Sequence, residues 1–193
     1  MASARGEDTR RRIIDAAIGL FSRYGFKRTS VELLAAEAGV AKPTVYAYFK
    51  DKDAVFRAVV EAVCDGLLAD AEAASRVVGP IEERLTAVLS AKLTRYFELV
   101  HASPHAQELV SSQSQLGADV VQKFDRAFLR LLVSVVEDAS ELEPKRLGLT
   151  ASSAAQLVLR AASGAGYDAT TAAMYKKHLA EIVRVVVAAM RKT

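Results

Sequence analysis

The chain has 193 residues, of which 51% are hydrophobic and 25% are charged, the composition of an ordinary globular protein. It has no run of 18 apolar residues, which argues against a membrane-spanning helix, and its single cysteine, Cys64, excludes an intramolecular disulfide framework. The net charge is +3, and the positive excess lies in the first third, where residues 1–60 hold 11 Lys and Arg against 7 Asp and Glu, a distribution that indicates a polyanion partner for that end.

Helical periodicity runs along the chain, and no alternating strand pattern interrupts it. The first helix is predicted over about residues 8–24, because its apolar residues recur at the spacing of one buried face. Thr29 and Glu32 have the spacing of a capping box, which predicts the start of a second, short helix at Thr29. Gly39 is expected to end this helix after about two turns.

A third short helix is predicted at about residues 43–49. Pro43 suits the first helical position, because that position needs no amide hydrogen bond and proline already has the required φ. Two short helices joined by a turn that contains glycine form a helix-turn-helix. Its core is expected to consist of Leu20, Phe21, Val31, Leu34, Ala35, Val40, Val45, Phe49 and Phe56.

The rest of the sequence predicts only further helices. Proline, glycine and polar segments divide it into six, at about residues 52–75, 80–101, from 103 onward, 118–139, 150–163 and 170–191. The predicted fold class is therefore all-α, with about nine helices. We expect an N-terminal three-helix helix-turn-helix domain at residues 1–51 and a helical C-terminal domain for ligand binding and dimerisation at residues 52–193.

The third predicted helix carries lysines and tyrosines that its own core does not need. A helix of this size fits the major groove of B-form DNA, which is about 12 Å wide. Lysine donates to guanine N7 and O6, a threonine methyl or a proline ring suits the thymine methyl, and tyrosine hydroxyls reach phosphate oxygens. DNA contacts are therefore predicted for Lys42, Pro43, Thr44, Tyr46, Ala47 and Tyr48, with further phosphate contacts at helix starts for Thr29 and Lys52. The alternative is a solvated amphipathic surface, and capping alone would explain Thr29.

The stretch "TRRRIIDAAIGLFSRYGFKRTSVELLAAEAGVAKPTVYAYFKDKDAVFRAVV", residues 9–60, resembles the N-terminal domain of the tetracycline-repressor (TetR) family, most specifically in its TVYAYF-x-x-K core. The resemblance implies an all-α, two-fold symmetric dimer on palindromic operator DNA and a C-terminal domain whose small-molecule ligand releases the DNA. It implies DNA contacts at Thr29, Lys42, Pro43, Thr44, Tyr46, Tyr48 and Lys52. The sequence departs from the family at Ala41, where members often have Ser or Thr, so the third helix lacks a side-chain cap.

Residues 61–193 carry no comparable motif. The last two predicted helices, about residues 150–191, combine a segment rich in Ala and Ser with a terminal segment that is apolar almost all round. Such a segment has two faces to bury, which predicts a homodimer through these helices; a helix central to a monomer is the alternative. A ligand cavity would lie between the middle helices, and its predicted lining, each member of which could instead be core, is Leu93, Tyr96, Phe97, His101, Phe124, Phe128 and Tyr167.

Other classes of function have less support. The sequence lacks P-loop, GxSxG, HExxH and Cys-x-x-Cys motifs, so neither an enzyme nor a bound cofactor is expected. His101, His105 and Glu108 have a spacing that suits a metal, but Pro104 is expected to separate the two histidines, so no metal is predicted. The sequence predicts a cytoplasmic repressor that a hydrophobic ligand releases from DNA. The alternative is a helix-turn-helix activator or a DNA-binding protein with no small-molecule ligand.

Overall fold

The computed structural model describes residues 4–102 and 116–192, and α-helices form most of this part of the chain. The prediction of an all-α fold that begins with a helix-turn-helix is confirmed. The helices are α1 (Ala4–Tyr24), α2 (Val31–Glu37), α3 (Lys42–Tyr48), α4 (Lys52–Ser75), α5 (Ile81–Ala102), α6 (Ala118–Glu137), α7 (Ala151–Ser163) and α8 (Ala172–Met190). The helix predicted from residue 103 lies outside the described residues.

Contacts divide the described chain into two compact units, and the first lies within Met1–Asp65 and Leu99–Gln122. The predicted helix-turn-helix core lies in this unit. Seven of its nine members are buried and two, Val31 and Val40, are partly buried. Phe21, Phe26 and Phe56 pack edge-on or tilted, with ring centroids 5.2 to 5.8 Å apart. These rings hold the end of α1, the turn after it and the start of α4 in one arrangement.

The start of α6 packs against α4 in the same unit. Arg57 Nη1 lies 2.7 Å from Asp119 Oδ1, and Arg57 Nη2 lies 2.5 Å from Asp119 Oδ2, so the guanidinium and the carboxylate form a two-pronged pair. A β-carbon on Gly117 would lie 3.2 Å from a methyl group of Val60. Glycine therefore allows the backbone before α6 to approach α4 closely.

The second unit lies within Gly66–Glu98 and Lys123–Thr193. Its core includes Leu85, Leu89, Phe128, Leu132, Val158, Leu179, Val183 and Val187, which are all fully buried. The end of α8 is fixed by an ion pair between Arg191 Nη2 and Glu82 Oε1 at 2.7 Å and by a short antiparallel bridge between Leu142 and Arg191. The predicted functional boundary after residue 51 stays a prediction, since the two units are defined by contacts rather than by function.

None of the helices within residues 4–102 and 116–192 combines the length and the apolar character that crossing a bilayer requires.

Candidate DNA-binding site

The start of α2 differs from the prediction. Ser30 is the N-cap residue, and its Oγ accepts the amide of Leu33 at 3.2 Å. The predicted cap at Thr29 is therefore wrong. Thr29 is only 1% exposed, and its hydroxyl donates to the carbonyl oxygen of Gly25 at 2.8 Å. Because that hydroxyl is buried and already bonded, the structure does not favour a phosphate contact by the Thr29 side chain.

The turn between α2 and α3 is closed by a side chain from α1. Arg12 Nη2 donates to the carbonyl oxygens of Ala38, at 2.6 Å, and of Gly39, at 3.2 Å. The last carbonyls of a helix have no partner within the helix, and a guanidinium near them satisfies this need. Sequence reasoning missed Arg12, because a contact across 26 residues leaves no local pattern.

Helix α3 buries one face and exposes the other. Val45 is 1% exposed and anchors α3 in the core, whereas Tyr46 and Tyr48 are 47% and 38% exposed. Lys42 and Pro43 are also exposed, and Thr44 is partly exposed. The N-cap residue, Ala41, makes no side-chain hydrogen bond, as its identity requires. Five of the seven predicted contact residues therefore lie on α3, and all five are at least partly open to solvent.

Lys42 is held by an acidic neighbour on α2. Its Nζ donates to Glu32 Oε1, and both side chains remain about half exposed. The hydrogen bond from Lys42 lowers the pKa of Glu32 from 4.5 to about 2, and the same bond raises the pKa of Lys42. The candidate surface thus presents a carboxylate beside a lysine that was predicted to read guanine. DNA would meet an ion pair there rather than a free cation.

Lys52, the first residue of α4, points back into the protein. Its Nζ donates to the carbonyl oxygens of Phe26, at 2.8 Å, and Thr29, at 2.9 Å. Other basic side chains of the first unit are exposed to solvent, at Lys27 and Arg28 in the turn between α1 and α2 and at Lys50 just before α4. Sequence reasoning did not select these three residues as contacts, although their basic character beside the helix-turn-helix was a usable signal.

The predicted ligand-lining residues do not share one environment. Tyr96 and Tyr167 are 53% and 97% exposed, so the described residues do not enclose them, and their place in a cavity wall stays a prediction. Phe97 is buried and packs on Tyr175, with ring centroids 5.1 Å apart. Leu93 is partly buried, and His101 is exposed.

Phe124 and Phe128, the remaining two predicted lining residues, are buried on α6. Lys92 Nζ lies 5.1 Å from the centroid of each ring and 2.6 Å from Asp125 Oδ1. The Lys92 ammonium thus lies over two aromatic faces with a carboxylate at its side. These contacts explain why both rings are buried without requiring a ligand. Their role in a ligand site stays a prediction.

The described residues of the second unit do form an open cleft of about 520 Å³. Its walls come from the segment that joins α4 to α5 and from the end of α6, and they include Arg76, Arg84 and Asp138. None of the seven predicted lining residues contributes to this cleft. Of the three residues whose spacing would suit a metal, His105 and Glu108 lie outside the described residues. Among the residues that are described, no three His, Cys, Asp or Glu side chains are grouped to hold a metal ion.

The last two helices keep apolar side chains in solvent after the unit has folded. Leu157 on α7 is 38% exposed and Val185 on α8 is 70% exposed, while Ile182 and Val186 are partly exposed. The opposite face of α8 carries Leu179, Val183 and Val187, which are fully buried. Helix α8 thus has one face in its own core and a second apolar face without a partner among residues 4–102 and 116–192.

Comparison with known proteins identifies the family to which the helix-turn-helix segment is similar. A family model described as bacterial regulatory proteins, tetR family, matches residues 13–59. The chain is 27% identical over 135 residues to YhgD, an HTH-type transcriptional regulator of Bacillus subtilis, an alignment that covers 68% of this chain and 69% of YhgD.

Solved structures show the same fold. A TetR-family transcriptional regulator from Mesorhizobium loti superposes over the whole of both chains, with a TM-score of 0.70 at 22% identity. SmeT of Stenotrophomonas maltophilia, in complex with triclosan, superposes with a TM-score of 0.64 at 22% identity and covers 95% of this chain and 92% of SmeT. The chain thus carries, at residues 13–59, a helix-turn-helix domain of the tetR family of bacterial regulatory proteins.

Proposed function

We propose that the protein is a homodimeric transcriptional repressor that binds palindromic operator DNA through α3 and is released by a small hydrophobic ligand. The observation that carries the DNA-binding part is the exposed face of α3, which presents Lys42, Tyr46 and Tyr48 on a helix anchored by buried Val45. A transcriptional regulator acts where the genome is, so we expect a cytoplasmic location.

The dimensions of α3 suit the major groove. An α-helix with its side chains is about 10–12 Å in diameter, and the major groove is about 12 Å wide, so α3 can lie in it. Pro43 and Thr44 offer small apolar groups to a thymine methyl, and the two tyrosine hydroxyls offer donors to phosphate oxygens. The exposed Lys27 and Arg28 of the α1–α2 turn add positive charge on the same unit, where they replace Thr29 as the favoured phosphate contacts.

Dimerisation is supported by the apolar face of α8 that no other described residue covers. Exposed apolar patches on a folded chain mark interaction surfaces, and Val185 at 70% exposure lies at the centre of the segment from Ile182 to Ala189. A single short helix buries too little surface for specific DNA affinity. In a two-fold symmetric dimer two such helices bind, so the buried surface doubles. Half-sites would then lie about 34–36 Å apart, or a multiple of this distance.

Release by a ligand is supported by likeness to SmeT. SmeT is the repressor of a multidrug efflux pump, and one of its structures is a complex with triclosan. Our chain shares the fold of SmeT and buries Phe97, Phe124 and Phe128 in its second unit. A ligand releases DNA only if it binds the DNA-free arrangement of the dimer more tightly than the DNA-bound one.

Selection of DNA from a random duplex pool by the purified protein tests the proposal. We expect a palindromic sequence, a dimer by light scattering, and a clear loss of affinity for the selected site in the double variant Lys42→Ala, Tyr48→Phe. Lys145→Ala is the matched control, because Lys145 is exposed but lies in the second unit. A monomer that binds all duplexes equally would refute the proposed function.

A further inference from the structure

Lys42, the first residue of α3, has its ammonium group between two neighbours. Its Nζ donates to Glu32 Oε1 on α2 and lies 5.9 Å from the centroid of the Tyr46 ring on α3. The side chains of Glu32 and Lys42 are 61% and 47% exposed, so the ion pair lies at the surface. An acidic group therefore stands beside two of the side chains that are predicted to contact DNA.

The carboxylate of Glu32 is the better fixed member of this pair. Glu32 lies in the first turn of α2, where the helix dipole favours a negative charge. Hydrogen bonds from Lys42, from its own backbone amide and from the Ser30 hydroxyl lower the pKa of Glu32 from 4.5 to about 2, so the group is charged at neutral pH. Lysine, in contrast, carries its charge on a flexible four-carbon stem. Glu32 therefore determines where the ammonium of Lys42 stands.

The charge of Glu32 affects phosphates and bases differently. A phosphate is an anion, so Lys42 can bind one only by leaving Glu32 or by bringing the carboxylate close to the phosphate, and each costs free energy. Guanine N7 and O6 are neutral acceptors. An ammonium group has three N–H donors, and the bond to Glu32 needs one of them. The intact pair is thus compatible with a guanine and disfavours a phosphate.

We propose, on the basis of the DNA-binding function above, that Glu32 is a positioning residue that sets sequence specificity. By holding Lys42, it lowers the affinity for unrelated DNA more than the affinity for the operator. Non-specific binding comes almost entirely from phosphate contacts, so a carboxylate that weakens one of them acts mainly on competing sites. A genome offers a large excess of such sites, and the specificity ratio rather than the affinity alone decides occupancy of the operator.

The ratio of the dissociation constants for a random duplex and for the selected duplex measures this role. Glu32→Gln removes the charge but keeps the size of the side chain and an acceptor oxygen. We expect both affinities to rise and the random duplex to gain more, so that the ratio falls by at least about fivefold, the smaller end of the discrimination that one base contact supplies. The slope of log affinity against log salt on the random duplex should steepen by about 0.9 for each bound subunit, the effect of one added phosphate contact.

Glu37→Gln is the matched control. Glu37 lies on the same helix, and its substitution changes the net charge by the same amount, but its carboxylate accepts from Arg23 Nη2 on α1, at 2.9 Å. We expect this variant to keep the parent ratio. A Lys42→Ala background supplies a second control, because Glu32 acts through Lys42. Adding Glu32→Gln to that background should leave the ratio unchanged, as a double-mutant cycle requires.

Three results would overturn the inference. A ratio in Glu32→Gln that equals or exceeds the parent ratio would show that Glu32 does not set specificity, and an equal fall in Glu37→Gln would show a general effect of net charge. A fall that persists without Lys42 would make Glu32 itself a base contact. A parent protein without any sequence-preferring, salt-dependent binding would instead refute the proposed function, so the two failures are distinguishable in one titration series.

Discussion

Replacement of Gly39 by alanine tests how the helix-turn-helix is closed. Gly39 has φ of 64°, a left-handed conformation that costs an alanine about 1–2 kcal/mol. Its new β-carbon would also lie 2.9 Å from Arg12 Nη2. The flexible Arg12 side chain can move aside, but it then gives up its bonds to the Ala38 and Gly39 carbonyls. For bonds that are only partly shielded from water we add about 1 kcal/mol, which gives about 2–3 kcal/mol in all.

Gly148 provides the matched control. Its φ is 69°, and a β-carbon there would meet no atom within 4 Å, so Gly148→Ala carries the backbone cost alone. We expect urea denaturation followed by circular dichroism to show Gly39→Ala as the more destabilised variant by about 1 kcal/mol. In an Arg12→Ala background this excess should vanish, as a double-mutant cycle requires for two groups that interact. An equal cost for the two glycine substitutions, or an excess that survives without Arg12, would refute the reasoning.

Three further perturbations address the interface, the dimer and the α4–α6 contact. Glu32→Gln should raise DNA affinity and steepen its salt dependence, because Lys42 loses its neutralising partner. A fluorescence anisotropy titration measures this change. Weaker binding would instead indicate that Glu32 accepts a hydrogen bond from a base. Val185→Asp should yield monomers by light scattering and weaken operator binding, whereas an unchanged mass would remove this face of α8 from the interface. Arg57 lowers the pKa of Asp119 from 3.8 to about 2, so the stability from this pair should be complete above pH 4 and disappear as pH falls through about 2. A carboxyl titration by NMR with a midpoint near 3.8 would contradict it.

The helices themselves could be predicted because their signals are local. The bounds predicted for α4, Lys52–Ser75, agree with the structure, and α3 begins within one residue of the predicted position at Pro43. Apolar spacing, proline and glycine act within one or two turns of the residue that carries them. The buried face of α3 and its exposed tyrosines follow from the same periodicity.

The sequence by itself determined an all-α chain that starts with a helix-turn-helix and presents a basic aromatic helix to solvent. The tertiary structure alone decided which hydrogen-bond partners the individual polar side chains contact. It buried Thr29, moved the cap to Ser30 and aimed Lys52 at carbonyls 23 to 26 residues earlier in the chain. It also left Tyr167 in solvent. The reason is physical: a helix is held by bonds between residues four apart, whereas the partner of an ammonium or a hydroxyl depends on which distant segments packing brings within 3 Å of it.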